Sequence, residues 1–134
     1  MNVLVDTSVW SLALRRHKPR PSAEVAELSE LIREGRVVMI GPVRQELLSG
    51  TKSEADFERL RQHLAPFPDL ELDSLDYEEA ARSFNTCRAR GVQASNTDFL
   101  ICAIALRRDL RILTTDNDFE RLSRVLKLRL HEPR

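Results

Sequence analysis

Short apolar runs alternate with longer amphipathic stretches along this chain. Val3–Val5 and Val37–Ile40 are apolar throughout, which predicts strands that are covered on both faces. Arg111–Thr114 is predicted as a third strand, and the alternating segments Leu70–Leu72 and Leu128–Leu130 as weaker strands near the sheet edges. The pattern thus predicts a sheet of about five strands.

The stretches between these strands carry apolar residues at helical spacing. These stretches are Val25–Ile32, Phe57–Leu64, Ala80–Cys87 and Phe99–Leu106. Ser22 is placed to cap the first of them and Gly35 to end it, while Ser95 and Asp98 have capping-box spacing before the last. Strands that alternate with helices predict a three-layer α/β/α fold, in which helices cover both faces of a mostly parallel sheet.

Length and composition narrow the class of protein. With 134 residues, of which 42% are hydrophobic and 31% charged, the chain fits a single soluble domain over residues 1–134. No apolar run reaches the ~18 residues that a membrane helix needs. The first residues show no export signal, so we expect a cytoplasmic protein.

Cysteine, histidine and tryptophan receive no chemical role. Cys87 and Cys102 stand alone among apolar neighbours of predicted helices, which indicates reduced core thiols. Trp10 lies inside the first predicted helix, where we expect it to pack. The histidines are isolated and predicted to lie at the surface: His17, His63 and His131.

Basic and acidic residues number 21 each, so the chain carries no net charge. Nucleic-acid-binding proteins usually have a basic excess, and any such contact here must be local. Two basic groups could contact phosphates: Arg15, Arg16, Lys18 and Arg20 in a predicted loop, and Arg107, Arg108 and Arg111 around the end of the last buried helix. Favourable charge at a helix C-terminus explains Arg107 and Arg108 equally well.

Acidic residues collect where the predicted strands end. Asp6 ends the first strand, and Asp116 follows the third. Helices return antiparallel to the strands, so Asp98, in the first turn of its helix, is expected at the same edge. The same holds for Glu46, near the start of the helix that follows the second strand. Because Glu46 adjoins Leu47, we expect it to face partly apolar surroundings.

Four carboxylates at one edge require a compensating cation. Two of them about 4 Å apart repel by ~4 kcal/mol at an effective dielectric of about 20. Oxygen ligands favour hard cations such as Mg²⁺ or Mn²⁺. Such an ion activates water and neutralises charge on a phosphodiester. The pattern therefore predicts a site for metal-dependent phosphodiester hydrolysis.

Each acid also has a purely structural interpretation. Asp6 is placed to cap the predicted helix Thr7–Arg15, and a capping box alone explains Asp98. Asp116 and Asp118 fit turn residues, or first-turn acids that a helix dipole favours. Only their convergence at one sheet edge favours a functional site.

The segments that carry these acids are Val3–Ser8, Pro42–Gly50, Thr97–Leu106 and Leu113–Phe119. Together they resemble the PIN-domain ribonucleases, in particular the VapC toxins of bacterial toxin–antitoxin pairs. The resemblance spans nearly the whole chain, and it is the ordered set with its spacing that is specific. One mild departure is Ile101–Ala103, where small residues are usual in that family.

The resemblance implies a divalent-metal-dependent endoribonuclease that is the toxin of a type II toxin–antitoxin system. The implied site comprises Asp6, Glu46, Asp98 and Asp116 as metal-binding catalytic acids, Asp118 as a further metal ligand, and Ser8 and Thr114 as supporting polar groups. Mg²⁺ or Mn²⁺ would be the cofactor and RNA the substrate. A cognate antitoxin and a homodimer are also implied, and the helices Val25–Ile32 and Phe57–Leu64 are candidate surfaces unless they only pack on the core.

Other readings of the acids stay open. In a Mg²⁺-dependent phosphatase Asp6 would be the nucleophile, but a second Asp is then expected where Ser8 stands. A receiver-type module needs a Lys after a later strand, and Thr114 and Thr115 occupy that place. A non-catalytic binding module on a similar sheet predicts that the acids can be neutralised without cost to any activity.

Overall fold

Short parallel strands and longer helices alternate in the computed structural model, which describes residues 1–14 and 22–134. The elements of these described residues are β1 Val3–Val5, α1 Thr7–Leu14, α2 Ala23–Arg33, β2 Val37–Val38, α3 Gly41–Leu48, α4 Glu54–Leu64, α5 Ser74–Ala89, α6 Asn96–Arg107, β3 Arg111–Leu113 and α7 Asp118–Leu126. The predicted helices are confirmed, most of them close to their expected bounds, but α5 begins at Ser74, well before the predicted stretch Ala80–Cys87. Helix α7 was not predicted, although Phe119 and Leu122 have helical spacing and both are buried.

The three strands form a parallel sheet in the order β2-β1-β3. Val3 pairs with Val37, and Leu4 pairs with Ile112. This order places the first strand, whose end carries Asp6, in the middle of the sheet. A strand flanked on both sides is held by hydrogen bonds along both edges, which fixes the position of its last residue.

The two weaker predicted strands contribute one parallel bridge each. Asp69, directly before the predicted strand Leu70–Leu72, pairs with Met39 beyond β2, and Leu130 pairs with Ile112 beyond β3. Backbone hydrogen bonds accompany both bridges: the amide of Leu70 donates to Met39 at 2.8 Å, and that of Ile112 donates to the Arg129 carbonyl at 3.0 Å. The predicted five strands are therefore three strands and two single-bridge edge segments.

Helices cover both faces of this sheet. All three residues of β1 are fully buried, as expected for a strand with apolar cover on each side. Right-handed crossovers place the helices between β1 and β2 on one face and those that lead back to β3 on the other. In keeping with this division, α1 contacts α2, and α5 contacts α6, while α3, directly after β2, contacts both α1 and α4. The fold is a three-layer α/β/α arrangement.

Helix α6 lies at the centre of one of these layers. Its residues from Phe99 to Ala105 are all buried, so apolar character all round the helix here reflects complete burial. The thiols of Cys87 and Cys102 are free and buried, which confirms their predicted role in the core. Trp10 packs as predicted, with its ring edge-on to Phe67 at a centroid distance of 5.1 Å.

A buried ion cluster joins the start of α5 to the end of α6. Asp76 is fully buried and accepts hydrogen bonds from Arg107 Nη1 at 2.5 Å and Arg108 Nη2 at 2.7 Å. It also forms a complete capping box with Asp73, which the sequence analysis missed. Burial alone would raise the pKa of Asp76, but the bonds from Arg108, the Asp73 backbone and Arg107 outweigh it and bring the pKa to about 2.

The predicted phosphate contacts are wrong for the second basic group, Arg107, Arg108 and Arg111, because these residues lie away from the acidic edge. Arg107 and Arg108 are engaged by Asp76, at the opposite end of α6 from Asp98. Arg111 begins β3, so it also lies at the edge away from the acids. The other predicted basic group, residues 15–20, lies outside the described residues.

Two of the three histidines lie in the described residues, and the prediction that they are at the surface is confirmed for His63 alone. His63 is exposed on α4. The side chain of His131 is only 7% exposed and lies 2.9 Å from the carboxylate of Glu27, which is itself buried. Arg134 pairs with the same carboxylate at 3.0 Å. The prediction is wrong for His131 because the segment after α7 packs against α2, which no local pattern reveals. His17 lies outside the described residues.

The Asp76 cluster predicts a loss of stability in acid. Because the pKa is about 2 in the folded chain against an ordinary value of 3.8, the stabilisation is present above pH 4 and is lost as pH falls toward 2. We expect Asp76→Asn to lower the free energy of unfolding by about 2 kcal/mol at pH 7 and to flatten its dependence between pH 4 and 2. Urea denaturation at a series of pH values measures both effects.

Asp56→Asn is the matched control for this experiment. Asp56 holds the same third helical position behind Ser53, but its carboxylate is 44% exposed and lies 3.4 Å from Arg59. Its neutralisation should cost less than about 0.5 kcal/mol. Equal losses in the two variants would contradict a special role for the buried cluster.

Candidate metal centre

Asp6 lies at the centre of the acidic edge. It directly follows β1 and is 4% exposed. The hydroxyls of Ser8 and Thr114 both donate to its Oδ2, at 2.7 and 2.8 Å. Burial raises the pKa of Asp6, and these two hydrogen bonds offset the rise in part. Asp6 forms no ion pair with any Lys or Arg that the structure describes.

The turn after β3 is bonded into the same network. The amide of Thr115 donates to Ser8 Oγ at 3.1 Å, and the amide of Asp116 donates to Thr114 Oγ1 at 2.9 Å. The predicted strand ends one residue early, at Leu113, and the Thr114 hydroxyl bonds across to Asp6. The structure therefore places Ser8 and Thr114 where supporting polar groups were expected.

Asp98 caps its helix and also interacts electrostatically with the other acids. Its Oδ2 accepts the Ser95 amide at 3.2 Å, and its own amide donates to Ser95 Oγ at 3.1 Å, so the predicted capping box is confirmed. Burial raises the pKa of Asp98, the bonds with Ser95 lower it, and the charges of Asp6 and Asp116 raise it again. Asp98 thus caps its helix and at the same time is repelled by the negative charges of Asp6 and Asp116.

Glu46 approaches this edge from α3. The expectation of partly apolar surroundings is wrong: Glu46 is exposed, because Val43 and Leu47, four residues apart, point into the core on another face of the helix. Its Oε1 accepts the hydroxyl of Thr7 at 2.6 Å. Since Thr7 is the neighbour of Asp6 in sequence, this bond brings the second acid to the end of β1.

Asp118 differs from the other four acids. Its amide donates to Asp116 Oδ1 at 2.9 Å, which orients the Asp116 carboxylate. The carboxylate of Asp118 itself pairs with Arg121 on the next turn of α7. Asp118 already has a cationic partner, so its contribution to a metal site has less support than that of Asp116.

The acids do not form a ready-made cage. Among the described residues, no three Asp, Glu, His or Cys side chains stand together in an arrangement that could hold a metal ion. Asp98 is turned toward Ser95, and Glu46 toward Thr7. A shared ion would therefore need a side-chain rotation at least of Asp98, on a backbone that has already brought all four segments to one edge.

The chemistry of these donors nevertheless fits a hard divalent cation. Every candidate ligand is a carboxylate oxygen, and no described Lys or Arg forms an ion pair with Asp6, Asp98 or Asp116. Like charges that raise one another's affinity for protons also raise their affinity for cations. A cleft of about 460 Å³ opens at Glu46 and is lined by Thr7, Pro42, Gln45, Glu46, Ser49 and Thr97, of which Thr7 and Thr97 are the sequence neighbours of Asp6 and Asp98.

The raised pKa of Asp6 predicts a cost to stability in the metal-free protein. An acid whose pKa is higher in the folded chain than in the unfolded chain binds its proton more tightly when folded. The protonated acid therefore stabilises the fold. This stabilisation is fully present below the pKa of the unfolded chain and is lost as pH rises through the pKa of the folded chain. Asp6→Asn keeps an oxygen acceptor for the hydroxyls and carries no charge. We expect it to raise the free energy of unfolding at pH 7 in EDTA by about 1 kcal/mol.

Urea denaturation in EDTA, at pH 7 and at pH 3.5, measures this effect. The gain should vanish at the lower pH, where wild-type Asp6 is protonated as well. Glu46→Gln serves as the control, since Glu46 is exposed and no comparable gain is expected from it. A lower stability of Asp6→Asn than of wild type at pH 7 would contradict the prediction.

Comparison with known proteins bears on the identity of this fold and site. The sequence model of the PIN domain matches residues 3–125. The VapC ribonuclease Mb1587 of Mycobacterium bovis is 30% identical over 130 residues, which are 94% of this chain and 95% of the relative. The ribonuclease VapC11 of Mycobacterium tuberculosis has the same identity and coverage. The match therefore extends over nearly the full length of both proteins.

Solved structures show the same fold. A chain of FitAcB from Neisseria gonorrhoeae superposes with a TM-score of 0.75 at 23% identity, covering 98% of this chain and 97% of the other. A chain of VapBC2 from Rickettsia felis, bound to a promoter DNA fragment, superposes with a TM-score of 0.78 at 17% identity, covering 98% of each. At these identities the superpositions support the fold alone. The match to the PIN-domain model over residues 3–125, together with the relatives that are 30% identical, establishes that this chain belongs to the PIN-domain family.

Proposed function

We propose that this chain is a divalent-metal-dependent endoribonuclease and the toxin of a type II toxin–antitoxin pair. The observation that carries the proposal is a group of carboxylates without cationic partners, Asp6, Asp98 and Asp116, at the carboxyl edge of a PIN-domain sheet. The relatives that match nearly the whole chain are ribonucleases of the VapC group. Site chemistry and family thus support the same activity.

Asp6, Glu46, Asp98 and Asp116 are the proposed ligands of Mg²⁺ or Mn²⁺. When bound, such an ion lowers the pKa of a water molecule and neutralises charge on the phosphodiester. The two hydroxyls on Asp6 Oδ2 hold the buried carboxylate in one orientation. Asp98, whose pKa responds to the charges of Asp6 and Asp116, and Asp116 itself would supply further negative charge to the ion. RNA would reach these groups through the cleft that Thr7, Glu46 and Thr97 line.

The rival readings of the site have less support. A phosphatase needs an accessible nucleophile, whereas Asp6 is 4% exposed and accepts two hydroxyls on one oxygen. A non-catalytic module has no need of an acid whose pKa is raised by burial and by the charges of Asp6 and Asp116, as that of Asp98 is, because such an arrangement costs stability. Metal binding gives that cost a function.

The proposed partners are RNA, a cognate antitoxin and a second copy of the chain, with residues 1–134 acting as one cytoplasmic domain. Structures of the FitAB and VapBC pairs share this fold. In the described residues, none of the helices is long and apolar enough to cross a bilayer.

The two helices that the sequence offered as partner surfaces turn most of their apolar residues inward, but Ile32 of α2 is 41% exposed. Leu28 and Leu31 of α2 are buried, as are Leu60 and Leu64 of α4. Core packing therefore explains most of both patterns. Further exposed apolar surface lies on α5, where Tyr77 is 54% exposed and lines a groove of about 550 Å³ together with Ala81, Phe84 and Leu100.

The proposal predicts metal-dependent cleavage of RNA by the purified protein. Mg²⁺ or Mn²⁺ should support cleavage and EDTA should abolish it. Asp98→Asn should reduce kcat/KM by about a hundredfold or more, because it removes a charge from the metal site while keeping the cap acceptor. A fluorogenic single-stranded RNA reports the rate, and circular dichroism reports the fold.

Asp56→Asn is the matched control for Asp98→Asn. Both residues occupy the third position of a Ser-capped helix, but Asp56 lies on α4, away from the acidic edge. Its neutralisation should leave cleavage unchanged. Full cleavage activity in EDTA would refute the metal-dependent mechanism. Equal activity of the Asp98→Asn and Asp56→Asn variants would refute the role of Asp98 in it.

The toxin assignment predicts an effect on cell growth. Expression of the wild-type chain in a bacterial host should arrest growth, and Asp98→Asn should relieve the arrest at equal protein level, because arrest depends on RNA cleavage. Optical density with an immunoblot for protein amount provides the measurement. Arrest that persists with Asp98→Asn would show that toxicity has another origin.

A further inference from the structure

One hydrogen bond fixes the outermost acid of the site. Glu46 is exposed, and its only hydrogen bond to a described side chain is the one from Thr7 Oγ1 at 2.6 Å. No described Lys or Arg pairs with it. An unrestrained Glu side chain loses up to about 2 kcal/mol of rotamer entropy when it is ordered. Without the hydrogen bond from Thr7, the Glu46 side chain would adopt many rotamers. The entropy lost on ordering it would then reduce the free energy of metal binding.

The donor itself is rigidly placed. Thr7 is the first residue of α1 and directly follows Asp6, whose backbone amide bonds to Leu113 on β3 at 2.9 Å. The backbone at Thr7 is therefore fixed by the central strand of the sheet. Thr7 and Glu46 line the same cleft as Thr97, the neighbour of Asp98. The bond thus fixes the distant side chain of α3 relative to the two acids at the sheet edge.

We propose that Thr7 is a positioning residue, which orders Glu46 for metal binding without itself being a ligand. The inference rests on the proposed function, since it assumes that Glu46 binds the ion. A hydroxyl that donates to one carboxylate oxygen leaves lone pairs of the group for a cation and limits its rotation. Loss of such an outer partner typically weakens metal binding by about 10- to 100-fold.

The test compares Thr7→Val with Thr7→Ser. Valine matches threonine in shape but has no donor, while serine keeps the hydroxyl. Titration with MgCl₂ and MnCl₂, followed by calorimetry and by the shift in Tm, should show binding weakened about tenfold in Thr7→Val and close to wild type in Thr7→Ser. RNA cleavage should require correspondingly more Mg²⁺ for half-maximal rate, with most of kcat recovered at saturation. Thr7→Ala replaces Thr7→Val should the latter not fold.

Two further variants separate positioning from general effects. Thr86→Val removes a threonine hydroxyl on α5 that bonds the Arg82 carbonyl at 3.0 Å, and it should leave metal binding unchanged. In a Glu46→Gln background, Thr7→Val should cause little further loss, because its effect passes through the Glu46 carboxylate.

The outcomes distinguish the two proposals. If the wild-type chain binds neither Mg²⁺ nor Mn²⁺, the proposed function itself fails. If the wild type binds an ion and Thr7→Val binds it equally well or more tightly, only the role of Thr7 is overturned. An equal loss in the Glu46→Gln background would also overturn it, since the hydroxyl would then act by another route.

Discussion

The free-energy cost of burying carboxylates is the constraint on which this structure depends. The chain resolves it in two opposite ways. Asp76 is fully buried, yet its pKa falls to about 2, because Arg107 and Arg108 supply positive charge. Asp6 is almost as buried, and burial raises its pKa, because the hydroxyls of Ser8 and Thr114 offset the cost of desolvation only in part. The fold can compensate a buried acid, and at the acidic edge it does so incompletely.

Helix α6 contacts a compensated acid at one end and carries an uncompensated acid at the other. Its first turn carries Asp98 into the field of the other acids, and its last turn ends in the arginines that hold Asp76. Because its middle is buried all round, the helix cannot shift along its axis without loss of core packing. The stable cluster at one end thereby fixes the position of the strained group at the other. This coupling explains how a chain with no net charge maintains a strongly negative edge.

Much of this arrangement was predictable, because strand ends and helix starts are encoded locally. Asp6, Asp98 and Asp116 follow from where apolar runs stop and caps begin, and Ser8 and Thr114 follow from the family resemblance. The surroundings of Glu46 were misjudged, since adjacency to Leu47 does not decide which face of a short helix is buried. The roles of Thr7 and His131 depend on contacts across 39 and 104 residues, so no local pattern could reveal them. Asp76 was missed although Asp73 and Asp76 show the same capping spacing as Ser95 and Asp98.

The capping role of Asp98 and its proposed role in metal binding are not competing explanations. The bond from the Ser95 amide contributes about 1 kcal/mol, which is comparable to the cost of turning one side chain. A divalent ion offers a larger gain, because it relieves the repulsion from Asp6 and Asp116 at the same time. The cap therefore stabilises the metal-free chain in a form whose acids are already close to the site. Since the helix start is held by the buried face of α6 as well, releasing that bond leaves the helix intact, and the same carboxylate can serve both states.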